Sequence, residues 1–168
     1  RSARTRPPRT SDPSGMGEHM LILAAQLIER YRILFICPPG EKGDGFLERA
    51  ERLGCTALPL TVQGSRTAAK TLQWWLRELD VEIFHCHAGI GWEGHDGIQA
   101  AYDDGIPVIV RTEHLPYLLT DPRQRTEHQA LLPALDQLIC VSQAAADSYR
   151  QVGIPAQKIA VVRNGIIP

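Results

Sequence analysis

The chain has 168 residues, enough for one domain with a sizeable core but short for two. With 43% hydrophobic and 22% charged residues it is not globally disordered, and a net charge of −1 gives no reason to expect nucleic acid or an anionic membrane as partner. The longest apolar run, Met20 to Ile28, is broken by Gln26 and reaches only about half a membrane span, so no transmembrane segment is expected.

In chain order, residues 1–13 carry Arg1, Arg4, Arg6 and Arg9 among prolines and serines. This stretch reads as a disordered or truncated leader in preference to a nucleic-acid arm. Met20, Leu23, Ala24, Leu27, Ile28 and Tyr31 then recur at helical spacing, which predicts a helix from near Gly17. Ile33–Cys37 is a short buried strand closed by Pro38, Pro39 and Gly40. Phe46–Leu53 is a helix stopped by Gly54, and Thr56–Leu60 a strand. Ala68, Leu72, Trp75, Leu76 and Leu79 form the next helical stripe, leaving Trp74 as the candidate for exposure. Val81–His85 reads as a strand, Gly94–Tyr102 as a helix and Pro107–Arg111 as a strand. Pro122–Leu135 is a helix with proline in its first turn, where the missing N–H costs nothing. Leu138–Val141 is a strand, Ser142 caps a helix that Gly153 and Pro155 end, and Ile159–Val162 is the last strand.

Six strands without polar alternation, interleaved with helices, predict an α/β fold: a Rossmann-like parallel sheet sandwiched by helices. Such a sheet normally starts with a strand before the first helix, and the charged, Pro-rich leader cannot supply it, so the first strand reads as missing. Cys37, Cys55, Cys86 and Cys140 are widely spaced, and three of them end or interrupt apolar runs. They read as small buried hydrophobes in a reducing compartment, with neither a disulfide framework nor a thiol zinc site. No signal peptide is visible and the first residue is not Met, so the chain reads as cytoplasmic and as a fragment.

Three segments carry candidate chemistry. Ser14-Gly15-Met16-Gly17-Glu18 precedes a helix, where glycines permit close backbone approach and free N–H groups favour phosphate. Two glycines serve equally as a plain turn. Arg111-Thr112-Glu113-His114 and His85-Cys86-His87-Ala88-Gly89 both stand at carboxyl ends of strands, where open α/β sheets bind ligands. The second is followed by Gly91, Trp92, Glu93, Gly94, His95 and Asp96.

From Asp80 onward the succession resembles the N-terminal domain of family-4-type glycosyltransferases with two Rossmann domains, the GT-B architecture. It runs H-x-H at His85–His87, then Gly105-Ile106-Pro107-Val108-Ile109, Thr112-Glu113-His114, and Leu138-Ile139-Cys140-Val141-Ser142. Gly153-Ile154-Pro155 and Lys158-Ile159-Ala160-Val161-Val162-Arg163-Asn164-Gly165-Ile166 close it. Ser14–Glu18 is similar to the family's G-G-x-E loop. The chain departs from the pattern in an imperfect glycine pair, in Arg163 where Pro is usual, and in lacking a first strand.

The resemblance implies that residues 14–168 form the acceptor-side domain of a retaining transferase, with the C-terminal donor domain absent. Such an enzyme moves a sugar from a nucleotide-sugar to a glycan, lipid or small-molecule acceptor, with no metal and no other cofactor. On the same resemblance His114 is the catalytic candidate, bonding the donor sugar. Gly15, Gly17 and Glu18 form the loop facing donor phosphate and acceptor. His87, Trp92, Glu93, His95, Glu113 and Tyr117 line the acceptor cleft, and Asn164 and Gly165 lead toward the second domain. His85 is expected to point into the packing while His87 and His114 face the cleft. No two glutamates here stand eight apart, so the family's E-x7-E pair is absent and the isolated chain is expected to be inactive. Two other classes stay open. A metal-dependent hydrolase could use the H-x-H cluster, though Gly89 stands where its usual Asp would be. A non-catalytic Rossmann-like binding module would leave the glycines as turns and the histidines as structural.

Overall fold

A computed structural model describes residues 15–89 and 93–165. The chain divides into two units, Arg1–Thr61 and Val62–Pro168. Both are built from parallel strands and helices, the expected class. Among the described residues no strand precedes the first helix, and no helix is long and apolar enough to cross a membrane.

The first unit runs α1 (Gly15–Leu27), β1 (Leu34–Cys37), α2 (Glu41–Arg52) and β2 (Thr56–Pro59). β1 and β2 pair in parallel, from Leu34 opposite Thr56 to Cys37 opposite Pro59. Leu21 and Ala24 of α1 bury against Phe35, Phe46, Leu47, Ala50 and Cys55. The rings of Phe35 and Phe46 meet edge to face at 5.0 Å. Helix α2 starts five residues before the expected Phe46 because its glycines serve contact and not looseness. The Asp44 carboxylate accepts from Gly40 N–H at 3.2 Å, and a Cβ on Gly43 would collide with the Pro38 carbonyl. Only glycine lets the helix begin so close to the strand.

The second unit runs α3 (Arg66–Glu78), β3 (Ile83–Ala88), α4 (His95–Asp103), β4 (Val108–Glu113), α5 (Pro122–Leu131), β5 (Gln137–Cys140), α6 (Gln143–Gln151) and β6 (Ile159–Val161). Side chains cap α3, α6 and α5. Ser65 Oγ accepts from Ala68 N–H at 3.2 Å and Ser142 Oγ from Ala145 N–H at 3.1 Å, while Asp121 accepts from Arg123 N–H at 2.8 Å. Each satisfies an N–H with no partner within the helix. Helix α5 ends at Leu131, short of the expected Leu135, and passes into a 3-10 turn holding Pro133. Leu72 and Leu76 of α3 are buried, Trp75 is half-buried and Trp74 is exposed.

All six expected strands are present, but they form two hydrogen-bonded sheets: β1-β2, and the parallel order β3-β4-β5-β6. Ala88 lies opposite Glu113, and Glu113 opposite Cys140. The carboxyl ends of β3, β4 and β5 therefore share one edge, as expected, with His114 and Ser142 just beyond it. β3 and β4 also run further than the apolar pattern suggests, to Ala88 and Glu113 in place of His85 and Arg111. Their polar residues remain in the ladder because they bond one another.

Candidate active site

Alternation along the strands sorts the polar residues of this edge onto two faces. His85 and His87 share one face, their rings stacked at 4.2 Å. His85 Nε2 meets Thr112 Oγ1 at 2.7 Å, and His87 Nδ1 meets His114 Nε2 at 3.1 Å. The expectation that His85 points away from His87 is thus corrected, since residues two apart on a strand cannot take opposite faces. His114 is half-buried, and its backbone N–H donates to the Ala88 carbonyl at 2.9 Å. The paired imidazoles of His87 and His114 form a polar group able to give and take hydrogen bonds at the carboxyl edge.

The other face is closed and charged. Arg111 and Glu113 are both 0% exposed, with Nε donating to Oε1 at 2.6 Å. Buried charges require such a partner. Burial works against both ions, yet each is held in its charged form by its surroundings. His128 and Arg111 outweigh desolvation and keep the Glu113 carboxyl below the usual carboxylate range. Burial favours loss of the Arg111 proton, but the charge of Glu113 outweighs it and the guanidinium holds that proton more firmly than usual. His128 Nε2 of α5 stands 3.8 Å from Glu113 Oε1. Tyr149 of α6 is fully buried, and burial followed by the charge of Glu113 pushes its phenol upward. Tyr117 packs edge-on against His128 at 5.5 Å and Tyr149 at 5.4 Å.

Several expected site residues need correction. Glu113, read as a cleft residue, lies in the interior, because Arg111 two positions earlier draws it there. Gly15 and Gly17 are no loop ahead of a helix: they sit in the first turn of α1, with Gly17 buried. Glu18 is engaged in a forked ion pair with Arg49 of α2, one arm 2.9 Å long. Trp92 and Ser14 lie outside the described residues. Glu93 is half-buried and accepts from Gly89 N–H at 2.7 Å. His95 opens α4 and borders an open polar cleft of about 260 Å³ with Gln63, Gly64, Asp96, Gln124 and Glu127. Asn164 and Gly165 are exposed beyond β6. The structure thus brings His87 and His114 together, puts His95 in a cleft, and removes Glu113 from the surface. Arg111, His128 and Tyr149 had no assigned role in the sequence reading. The opposite charges of Arg111 and Glu113, two apart in an apolar strand, were the available signal; His128 offered none.

Gly94 precedes α4 in the left-handed region, at φ 75°, and a Cβ there would collide with Cys86 Sγ. Gly94→Ala is expected to cost about 2–3 kcal/mol from backbone strain and overpacking. A lowered urea midpoint with an unchanged slope would register it.

The model of Glycosyltransferase Family 4 matches residues 13–168 of this chain, nearly its whole length. The chain belongs to glycosyltransferase family 4. Within the GT-B architecture of that family it corresponds to the N-terminal domain. Its fold is similar to that of Anabaena HepE, solved in complex with UDP-glucose, at a TM-score of 0.65 and 18% identity over 94% of this chain and 42% of HepE. It is also similar to the lipopolysaccharide outer core galactosyltransferase WaaB in its apo form, at 0.60 and 16% over 91% of this chain and 43% of WaaB. The chain thus spans less than half the length of these solved structures, and at such identities the likeness shows the fold. No curated protein sequence matches it significantly.

Proposed function

We propose that this family-4 chain is the acceptor-side domain of a retaining glycosyltransferase that uses a nucleotide-sugar donor. The observation that carries the reading is the His87–His114 pair on the carboxyl edge of a parallel sheet, inside a chain matched by the family. In the proposed reaction the bond between sugar C1 and the donor phosphate oxygen breaks. The acceptor oxygen bonds C1 from the same face, and its proton passes to the departing phosphate. Charge then develops on the sugar ring and on the phosphate, so fixed dipoles aimed at those atoms lower the barrier. His114, oriented by His87 Nδ1 at 3.1 Å, is assigned to a hydroxyl of the donor sugar. His95 in its polar cleft is assigned to the acceptor.

No metal or other cofactor is called for by this reading, and family membership favours transfer over hydrolysis or simple binding. The free cysteines, three of them buried, fit the cytoplasmic setting it adopts. A second domain, reached through Asn164 and Gly165, is assigned the donor-binding groups. Transfer needs donor and acceptor held in one cleft. The 168-residue chain is therefore expected to transfer no sugar from UDP-glucose or other nucleotide-sugars, whereas the intact enzyme does. Product formation by this chain alone, in a radiolabelled-donor assay, would overturn that division of labour.

A further inference from the structure

The ion pair between Arg111 and Glu113 touches more than itself. Arg111 has a second donor, a terminal guanidinium nitrogen 2.7 Å from the Glu93 carbonyl. Glu93 turns its side chain back to accept from Gly89 N–H at 2.7 Å. Gly94 follows in its left-handed conformation, and the idealised position of a Cβ there lies 4.0 Å from the same guanidinium. From Gly94 the chain enters α4, whose first residue is His95. Glu93, two residues ahead of His95, is thus fastened to the neighbouring strand at its carbonyl. At the other end of the pair, Glu113 immediately precedes His114 and lies 3.8 Å from His128, whose ring is 5.7 Å from that of His95 and 5.5 Å from that of Tyr117.

We propose that Arg111 and Glu113 are positioning residues: the buried carboxylate aims the guanidinium at the Glu93 carbonyl, and this clamp fixes the entrance to α4, and with it His95, relative to His114. The proposal rests on the functional reading above for its consequence in transfer, and on geometry alone for the clamp. A guanidinium can serve Glu113 through Nε and Glu93 through a terminal nitrogen at once, because its donors form a rigid fork. A lysine ammonium at the same place keeps the charge and loses the fork. A pair that served only to balance its own charges would need no such second contact.

The test uses Arg111→Lys, which keeps the cation, and Glu113→Gln, which keeps the side-chain shape, with exchange in the sheet as the control for any loss of global stability. In the 15N-labelled chain, both are expected to speed exchange of the Gly89 amide about tenfold or more, while Leu138 and Ile139 in the sheet stay protected. Gly89 exchange unchanged in both variants would overturn the clamp. In the intact enzyme, both are expected to raise the acceptor KM about tenfold with the donor KM unmoved, since misplaced binding groups act on the ligand they orient. A fall in apparent kcat with both KM values unchanged would mark loss of folded enzyme and would overturn the positioning role. If the intact wild-type enzyme transferred no sugar, the functional reading would fail, and Gly89 exchange would still decide the clamp.

Discussion

Replacing His114 by alanine in the intact enzyme is expected to lower kcat by about 10²-fold or more, while the thermal melt hardly moves. The two effects separate because of where the residue stands. Its backbone N–H to the Ala88 carbonyl survives the substitution, and its side chain is half-buried with His87 as neighbour. Little packed apolar surface is lost, so no cavity term follows. On the role proposed for His114, by contrast, the variant loses a hydrogen bond to the sugar that strengthens as charge develops. Steady-state transfer alongside a melt of both proteins checks the split, and normal turnover in the variant would remove His114 from the site.

The second large effect concerns stability. Truncating one member of the buried pair, as Arg111→Met or Glu113→Leu, is expected to cost about 3–5 kcal/mol, because the surviving charge stays in the interior without its counterion. That is a large share of the roughly 5–15 kcal/mol that holds a domain of this kind together. The double variant should recover most of the loss, since two apolar side chains leave no charge to desolvate. Urea unfolding of the four proteins measures the coupling, and additive losses would show that the two residues act separately. A pH signature follows as well. The Glu113 carboxyl titrates below its unfolded value, so its contribution is present above the ordinary carboxylate range and is lost as pH falls through the lowered value. Acid should therefore weaken the wild type more than the double variant.

The sequence was informative where apolar periodicity or a cap decides structure. The stripe through Ala68, Leu72 and Leu76 and the Ser142 cap stand where they were expected. The parallel order of strands followed from their unbroken apolar character, and the shared edge that brings His87 to His114 followed from that order. Strand ends were less legible. A charged residue normally closes a buried strand, so the pattern stopped at Arg111, whereas mutual pairing lets Arg111 and Glu113 continue the ladder. The same pairing explains the misplacement of Glu113: a carboxylate beside a histidine at a strand end reads as surface chemistry until its partner is known. The glycines of α2 misled for a related reason. Close approach to Pro38 and conformational looseness call for the same residue, and only the fold distinguishes them. The amino end of α1 shows the converse, with helix beginning at Gly15 where two glycines suggested a loop.

Cys86 and Cys140 are buried beside this ion pair, and burial is the main reason their thiols are pushed up to about 11. At pH 8 a thiol of that kind is ionised to only about one part in a thousand, and the thiolate is the form that attacks an alkylating reagent. Both sulfurs are therefore shielded twice, by access and by protonation, and become reactive only when the strands that hold them part. They amount to a built-in clock for that opening: where a small maleimide traps them faster than the sheet recloses, the rate at which it consumes them reads the lifetime of the closed sheet, with no label that must first be engineered into it.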